Sequence, residues 1–379
     1  IAHIQGKTSH RVLKTAIEAL TCMTHRGGIA SDGKTGDGCG LLLQKPDSFM
    51  RDIAISLFDI KLPELYAIGS VMLSQNKDHR RNAKITMEKN LHDQGLEIVG
   101  WRKVPTNNDC LGEIALKTIP VIEQIFITAG NLDKKNFNAR LFVAKRKSEI
   151  ALTSDDSFYI ASLAENIISY KGLMMPVDLP KFYLDLGNPL LETAICIFHQ
   201  RFSTNTSPKW PLAQPFRMLA HNGEINTLAG NRNWSLARTP KLKTTLLPDL
   251  QEVTPLVNNT GSDSSSLDNM LEFMVAGGMD LHKAIRMLVP PAWDNNQEFG
   301  IEERAYFEYM AMHMEPWDGP AGIVITDGRY AVCTLDRNGL RPSRWVLTND
   351  DIITVASEIG VYGYDPKNVT AKGRLGPGD

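Results

Sequence analysis

Near the C-terminal end, two segments each place a turn pair between apolar runs: AGIVITDGRYAVCTLD around Asp327-Gly328, and SRWVLTNDDIITVAS around Asn349-Asp350. A turn this short joins only strands that run antiparallel, because a parallel return needs a crossover of about a dozen residues or more. The second half of the chain is therefore expected to contain antiparallel sheet. It also carries helical patterns. GSDSSSLDNMLEFMVAGG sets Leu267, Met270, Leu271 and Met274 on one face behind a run of Ser and Asp and closes at Gly277-Gly278, and DLHKAIRMLV runs up to Pro290-Pro291. Strands open and close this half, with helices between them.

The first half reads as alternating helix and strand. SHRVLKTAIEALTCMTHR predicts a helix with Ser9 as N-cap, one apolar face of Val12, Leu13, Ala16, Ile17 and Leu20, and a stop at Gly27-Gly28. SDGKTGDGCG then forms a glycine-rich turn region leading to a short strand at Leu41, Leu42 and Leu43. Between about residues 65 and 170, YAIGSVMLSQ and LEIVGWRKV predict strands around a polar helix, and EQIFITAG predicts a strand followed by the helix NFNARLFVAKRKSEIAL. The clusters His79-Arg80-Arg81 and Lys145-Arg146-Lys147 are read as solvated helix faces. No internal repeat or low-complexity linker marks a boundary, so residues 1–379 read as a single domain.

A chain with 42% hydrophobic and 22% charged residues can bury a large core. Its 41 basic and 43 acidic residues leave a net charge of −2, which supplies no bulk field for nucleic acid or an anionic membrane and favours a small ligand. No apolar run approaches the roughly 20 residues of a membrane span, and no secretion signal is legible, so the chain is expected to be cytoplasmic. The five cysteines form no C-x-x-C pair and leave one over if paired, which points to free thiols. Cys196, inside an apolar strand-like run, is read as buried, and Cys39 as a thiol buried at a glycine-rich turn.

The segment AHNGEIN carries the chemistry. Asn222-Gly223 has the composition of a hairpin turn, yet EINTLAGNRNWSLAR behind it lacks the alternation of a strand and reads as helix and loop. An ordinary turn is one reading. The other is a donor pair: a glycine N–H beside an asparagine amide, at the end of the strand expected over Phe216–Ala220, can hold a developing oxyanion. Arg201, delivered by the strand-like LETAICIFHQ into a Ser/Thr/Asn-rich loop, offers a planar fork for a carboxylate, with a plain surface arginine as the alternative. Asp263 in TGSDSSS can accept from a ligand ammonium, or serve as a helix cap and dipole partner. Together the three describe a site for an α-amino acid whose side chain carries an acyl group.

These segments, with HRG, DGKTGDG, FHQRFSTNT, PKWPLAQPFR, VPPAW, MEPWDGPAGI, DRNGLRP and ASE in the same order, resemble the N-terminal glutaminase domains of glutamate synthases across essentially the whole chain. The resemblance implies an α+β fold, a four-layer αββα sandwich of two antiparallel sheets of the N-terminal-nucleophile type. It implies hydrolysis of L-glutamine by an N-terminal cysteine, with the ammonia passed on to aminate 2-oxoglutarate. By matching motif, Asn222 and Gly223 would form the oxyanion hole, Arg201 would bind the glutamine α-carboxylate and Asp263 its α-amino group. Arg26 would organise the surroundings of the nucleophile, and Ser203 and Thr204 would line the glutamine pocket. FMN and an iron–sulfur cluster are implied for downstream synthase domains of the same polypeptide, none for this chain, and a small electron-donating subunit is a further implied partner.

The family pattern opens with Cys-Gly a handful of residues ahead of the match to Ile1, and it continues past Asp379, so the sequence is expected to be a piece truncated at both ends. Two rivals stay open: a catalytically silent glutamine- or glutamate-binding module, and another class II amidotransferase, such as one making phosphoribosylamine or glucosamine phosphate.

Overall fold

The computed structural model describes residues 1–201, 208–294, 296–297 and 299–379. In chain order the elements are β1 (Ala2–His3), α1 (His10–Cys22), β2 (Cys39–Gln44), α2 (Asp47–Phe58), β3 (Tyr66–Leu73), α3 (Lys77–Asp93), β4 (Glu97–Lys103), α4 (Glu113–Lys117), β5 (Val121–Thr128) and α5 (Lys134–Ala151). There follow β6 (Tyr159–Ala164), β7 (Ile167–Gly172), α6 (Leu179–Phe182), β8 (Cys196–Gln200), β9 (Leu219–Gly223), α7 (Leu228–Arg238), α8 (Asp263–Ala276), α9 (Leu281–Leu288) and α10 (Ile301–His313). The chain closes with β10 (Ala321–Thr326), β11 (Ala331–Leu335), β12 (Arg344–Thr348), β13 (Ile352–Ala356) and β14 (Val369–Arg374).

Among the described residues every ladder is antiparallel. The strands fall into four hydrogen-bonded sheets, ordered β4-β5-β3-β6, β7-β2-β8, β11-β10-β9 and β1-β13-β12-β14. Both C-terminal hairpins form as their turns dictate, β10 with β11 and β12 with β13. The fold is thus α+β with antiparallel sheets. Hydrogen bonding divides the strands more finely than into two sheets, because neighbouring pieces meet by side-chain packing and by isolated bridges such as Ala2 with Ile195.

Alternation along β2 shows how the layers are built. Leu41 and Leu43 face a large core with Val12 and Leu13 of α1 and Met50 of α2, whereas Leu42 points the other way, to Ile197 of β8 and Ala220 of β9. On β9 and β10, Leu219, Ile323 and Ile325 turn to a second core with Leu267 and Leu271 of α8 and Ile285 of α9. A third core packs α3 and α5 over β3 and β5.

Several sequence expectations need correction. Helix α1 is capped by Ser9, whose Oγ accepts from the Val12 N–H at 3.3 Å, but it ends at Cys22 rather than at Gly27-Gly28. The Met23 N–H closes onto Leu20, and the Thr24 hydroxyl donates to the Thr21 carbonyl at 2.6 Å, so the last turn is satisfied before the glycines arrive. Gly27 instead admits a side chain: a Cβ there would lie 1.8 Å from Nε2 of Gln200. The His79 and Arg81 side chains are exposed as expected, but Lys145 is only 1% exposed. Helix α8 packs on α5, and the buried Lys145 ammonium pairs there with Glu272. Cys39 and Cys196 are buried free thiols, as read from the sequence, while Cys22 is exposed.

No helix among the described residues is long and apolar enough to cross a membrane.

Candidate active site

Strands β8 and β9 come together where the chain leaves both of them, and a cavity of about 360 Å3 opens there. Arg26, Arg201, Asn222, Gly223 and Asp263, which lie far apart in sequence, all line it. Ser203 and Thr204 lie outside the described residues.

Asn222 and Gly223 are the last two residues of β9, and the strand missing behind them in sequence is β10, which pairs Gly322 with Asn222 and Ala321 with Gly223. Glu224 N–H donates to the Pro320 carbonyl at 3.0 Å, and Thr326 N–H to the Met218 carbonyl at 2.9 Å. Antiparallel ladders alternate, so the even-numbered residues of β9 bond to β10 and the N–H groups of His221 and Gly223 point to the opposite edge. On that edge the Gln214 side-chain amide stands in for a strand: its Oε1 accepts from the His221 N–H at 2.8 Å and its Nε2 donates to the His221 carbonyl at 3.3 Å. The Gly223 N–H lies beyond the reach of this bracket, at the cavity. Only glycine fits here, since φ is +152° and a Cβ would sit 1.8 Å from the Pro320 carbonyl oxygen.

Asp263 is the first residue of α8, and Ser262, not Asp263, is the N-cap, accepting from Ser265 N–H at 3.1 Å. The Asp263 carboxylate therefore sits at the positive end of the helix dipole. One oxygen accepts from the Ile225 N–H at 2.9 Å and the other from the Ser264 N–H at 2.7 Å. A carboxylate can take further donors on its remaining lone pairs.

Arg201 follows β8 directly; its N–H donates to the Gly38 carbonyl at 3.1 Å, and its φ of +92° is strained for a residue with a side chain. The side chain is exposed. Arg26 sits in the turn after α1, and its guanidinium is already engaged, with Nε and Nη2 at 2.9 and 2.5 Å from one oxygen of Glu358. His25 Nε2 approaches the other oxygen at 3.0 Å.

Two histidines stand behind these groups, His221 buried and His199 partly buried. Burial pulls the His199 ring down to about 4, so it is neutral at ordinary pH, with Nε2 3.2 Å from the His221 carbonyl. Burial likewise lowers His221, against the opposing pull of Asp263, and its Nδ1 lies 2.8 Å from the Ser264 hydroxyl. Reading the sequence alone missed Gln214, His221, Ser264, Glu358 and Arg341, all of which touch or line the cavity except Glu358, which acts on it through Arg26. Arg341 belongs to DRNGLRP, Glu358 to ASE and Gln214 to PKWPLAQPFR, so the motifs were the available signal; what Gln214 does was not legible, because its role depends on a strand edge that only the fold creates.

A cavity whose rim joins a glycine N–H turned away from its β-ladder, an asparagine amide, an arginine and a carboxylate between two antiparallel sheets suits acyl chemistry on an amino acid. The chain belongs to the class II glutamine amidotransferases, a family that matches it over residues 1–379. Among individual proteins it is similar to the glutamate synthase NADPH large chain of Bacillus subtilis, at 42% identity over 100% of this chain and 25% of that protein. It is similar also to the ferredoxin-dependent glutamate synthase of Pyropia yezoensis, at 41% identity over 100% and 25%. The NADH glutamate synthase of Schizosaccharomyces pombe is 40% identical over 99% of this chain and 18% of that protein. The chain thus spans a quarter or less of the length of these relatives.

Proposed function

We propose that this domain hydrolyses L-glutamine to L-glutamate and ammonia, and that in a complete glutamate synthase the ammonia goes on to aminate 2-oxoglutarate. The observation that carries the reading is the orientation of the Gly223 N–H, directed away from β10 at the mouth of the cavity next to Asn222. A thiolate adds to the side-chain carbonyl carbon of glutamine, the carbonyl oxygen becomes an oxyanion, and the Asn222 amide and Gly223 N–H stabilise it. Collapse of this intermediate expels the nitrogen as ammonia, protonated by the α-amino group of the attacking cysteine, which had taken the thiol proton. It leaves a thioester that water cleaves through a second oxyanion in the same hole. Arg201 takes the α-carboxylate, Asp263 the α-ammonium, and Ser203 and Thr204 line the pocket. Arg26, held by Glu358, borders the place of the nucleophile.

This reading uses none of the five cysteines as that nucleophile. Burial raises the thiols of Cys39, Cys196 and Cys333, the last of which lines the cavity, so none of these three is a ready thiolate. The reading assigns it to a cysteine ahead of Ile1. Ile1 lines the cavity and exchanges backbone bonds with Cys196, its carbonyl accepting and its nitrogen donating at 2.9 Å each. Residues continuing antiparallel from there would run along β8 toward His199 and Arg201, so a handful suffices to bring a terminal cysteine beside Asn222.

We infer further that the layers form the four-layer αββα sandwich of N-terminal-nucleophile hydrolases. The opposite facing of Leu41 and Leu42 on β2, helices on one side and β9 on the other, supports it. The chemistry of FMN and iron–sulfur clusters belongs in this reading to the rest of the synthase. Among the described residues no group of three His, Cys, Asp or Glu side chains is placed to hold a metal ion.

The test is the intact mass and N-terminal sequence of the mature protein together with ammonia release from glutamine. A terminal cysteine and glutamine-dependent ammonia are expected. A mature chain that begins at Ile1, binds glutamine and releases no ammonia would overturn the reading in favour of a silent binding module.

A further inference from the structure

The strand that ends in Asn222-Gly223 is held at its beginning by a group the reaction does not use. Met218 and Leu219 donate their N–H groups to Oδ1 of Asp268 at 2.8 and 3.3 Å, and Arg217 donates its N–H to Oδ2 at 3.2 Å. Asp268 is fully buried in α8. About one and a half turns earlier on the same helix, Asp263 accepts from the N–H of Ile225 at 2.9 Å and the Ser264 hydroxyl meets His221 Nδ1 at 2.8 Å. One helix therefore grips β9 before, beside and after the donor pair.

A buried carboxylate is costly unless its lone pairs are filled and its charge is answered. Here three backbone N–H groups fill them, and the Arg217 and Lys145 cations offset part of the cost of burial and of the nearby Glu272 carboxylate. A neutral side chain of the same size could not accept all three bonds without presenting a donor to a donor. Oxyanion donors work only when they are held in place before charge develops, and displacement of even about 1 Å is costly.

We propose that Asp268 is a positioning residue for catalysis, setting through the backbone of β9 where the Gly223 N–H and the Asn222 amide stand in the cavity. The inference rests on the oxyanion reading of those two residues. Because Asp263 anchors the far end from the same helix, a loss at Asp268 lets β9 slide relative to the glutamine-binding groups without removing any of them. The effect thus falls on turnover rather than on glutamine binding.

The test uses the full-length protein as Asp268→Asn, which keeps the shape and removes the charge, and Asp268→Glu, which keeps the charge for Arg217 and Lys145 but moves the oxygens. Steady-state glutamine hydrolysis is measured with amide hydrogen exchange of peptides covering residues 216–225. Both variants are expected to lose kcat by roughly tenfold or more, with KM within about twofold, and to exchange faster at 217–223 and not elsewhere. Unchanged exchange at 217–223 would show that Asp268 does not hold the strand. Faster exchange with unaltered kcat would show that the hold is irrelevant to turnover. Exchange raised throughout the chain in both variants would reduce the effect to general loosening, which also overturns the proposal. If the wild-type protein itself releases no ammonia from glutamine, the amidotransferase reading falls and takes the catalytic role with it, while the exchange comparison still decides whether Asp268 holds β9.

Discussion

At the scale of single residues, the donor pair at the end of β9 separates two kinds of requirement. Asn222 is required for what its side chain does when charge develops. Asn222→Ala is expected to lower kcat for glutamine hydrolysis by roughly 10²–10³-fold with little change in KM, since such a donor acts mainly in the transition state. Steady-state kinetics decide it, and an unaltered kcat would remove Asn222 from the oxyanion hole. Gly223 is required for what it lacks. With φ at +152° and the Pro320 carbonyl oxygen 1.8 Å from where a Cβ would stand, Gly223→Ala must push β10 away or twist the strand end. A loss of about 1–3 kcal/mol in urea unfolding is expected alongside the loss of turnover. A fully stable, inactive Gly223→Ala would place the defect in chemistry alone.

At the scale of elements, α8 is the organiser: Ser262 caps it, Asp263 opens it, Asp268 grips β9 from within it, and Glu272 reaches α5. The pairing of α5 with α8 is where sequence reading erred. Lys145-Arg146-Lys147 has the look of a solvated face, yet Lys145 is buried against Glu272, Arg146 bonds Glu149, and only Lys147, paired with Glu252, keeps much contact with water. Burial alone would push the Glu149 carboxyl up, but Arg217, Lys145 and Arg146 around it hold it down at about 2. Lys145→Met leaves these carboxylates short of a cation in a dry interior. A destabilisation of about 3 kcal/mol is expected from denaturant midpoints. A variant as stable as the wild type would show that the pair only breaks even with an apolar contact of similar size.

At the scale of the whole molecule, the cavity lies where two sheets meet, and the partly buried His199 ties its integrity to pH. The folded ring of His199 is held at about 4, while in the unfolded chain a histidine titrates near 6.5. Above about pH 6.5 neither state binds the proton and the full stability is present. As pH falls from there toward 4, the unfolded chain gains a proton that the folded chain refuses, and stability is lost. Asp268 pulls the other way, since burial and Glu272 push its carboxyl up to about 6. The comparison is therefore between the wild type and His199→Gln. The variant should lose about 2 kcal/mol less stability between pH 7 and 5, read from urea midpoints. Parallel losses in the two proteins would mean that His199 is charged in the folded state or carries no shift.

Asn222, Gly223, Arg201 and Asp263 could be singled out as candidates because their chemistry is local, whereas Arg26, Ser203 and Thr204 rest on the resemblance alone. Asn222-Gly223 closes an apolar run and has no strand behind it, Asp263 stands at the head of a helix pattern, and both C-terminal hairpins follow from turn pairs that leave antiparallel return as the only short path. What the sequence could not determine was who stands across from whom. That β10, not a neighbour, pairs with β9, that the Gln214 amide completes its other edge, that Glu358 occupies Arg26, and that Asp268 is buried beneath three N–H groups all depend on contacts between segments distant in the chain. Local pattern sets which face of an element is apolar. Which polar group ends up dry, and which backbone edge stays open to a substrate, is decided only when the sheets and helices pack.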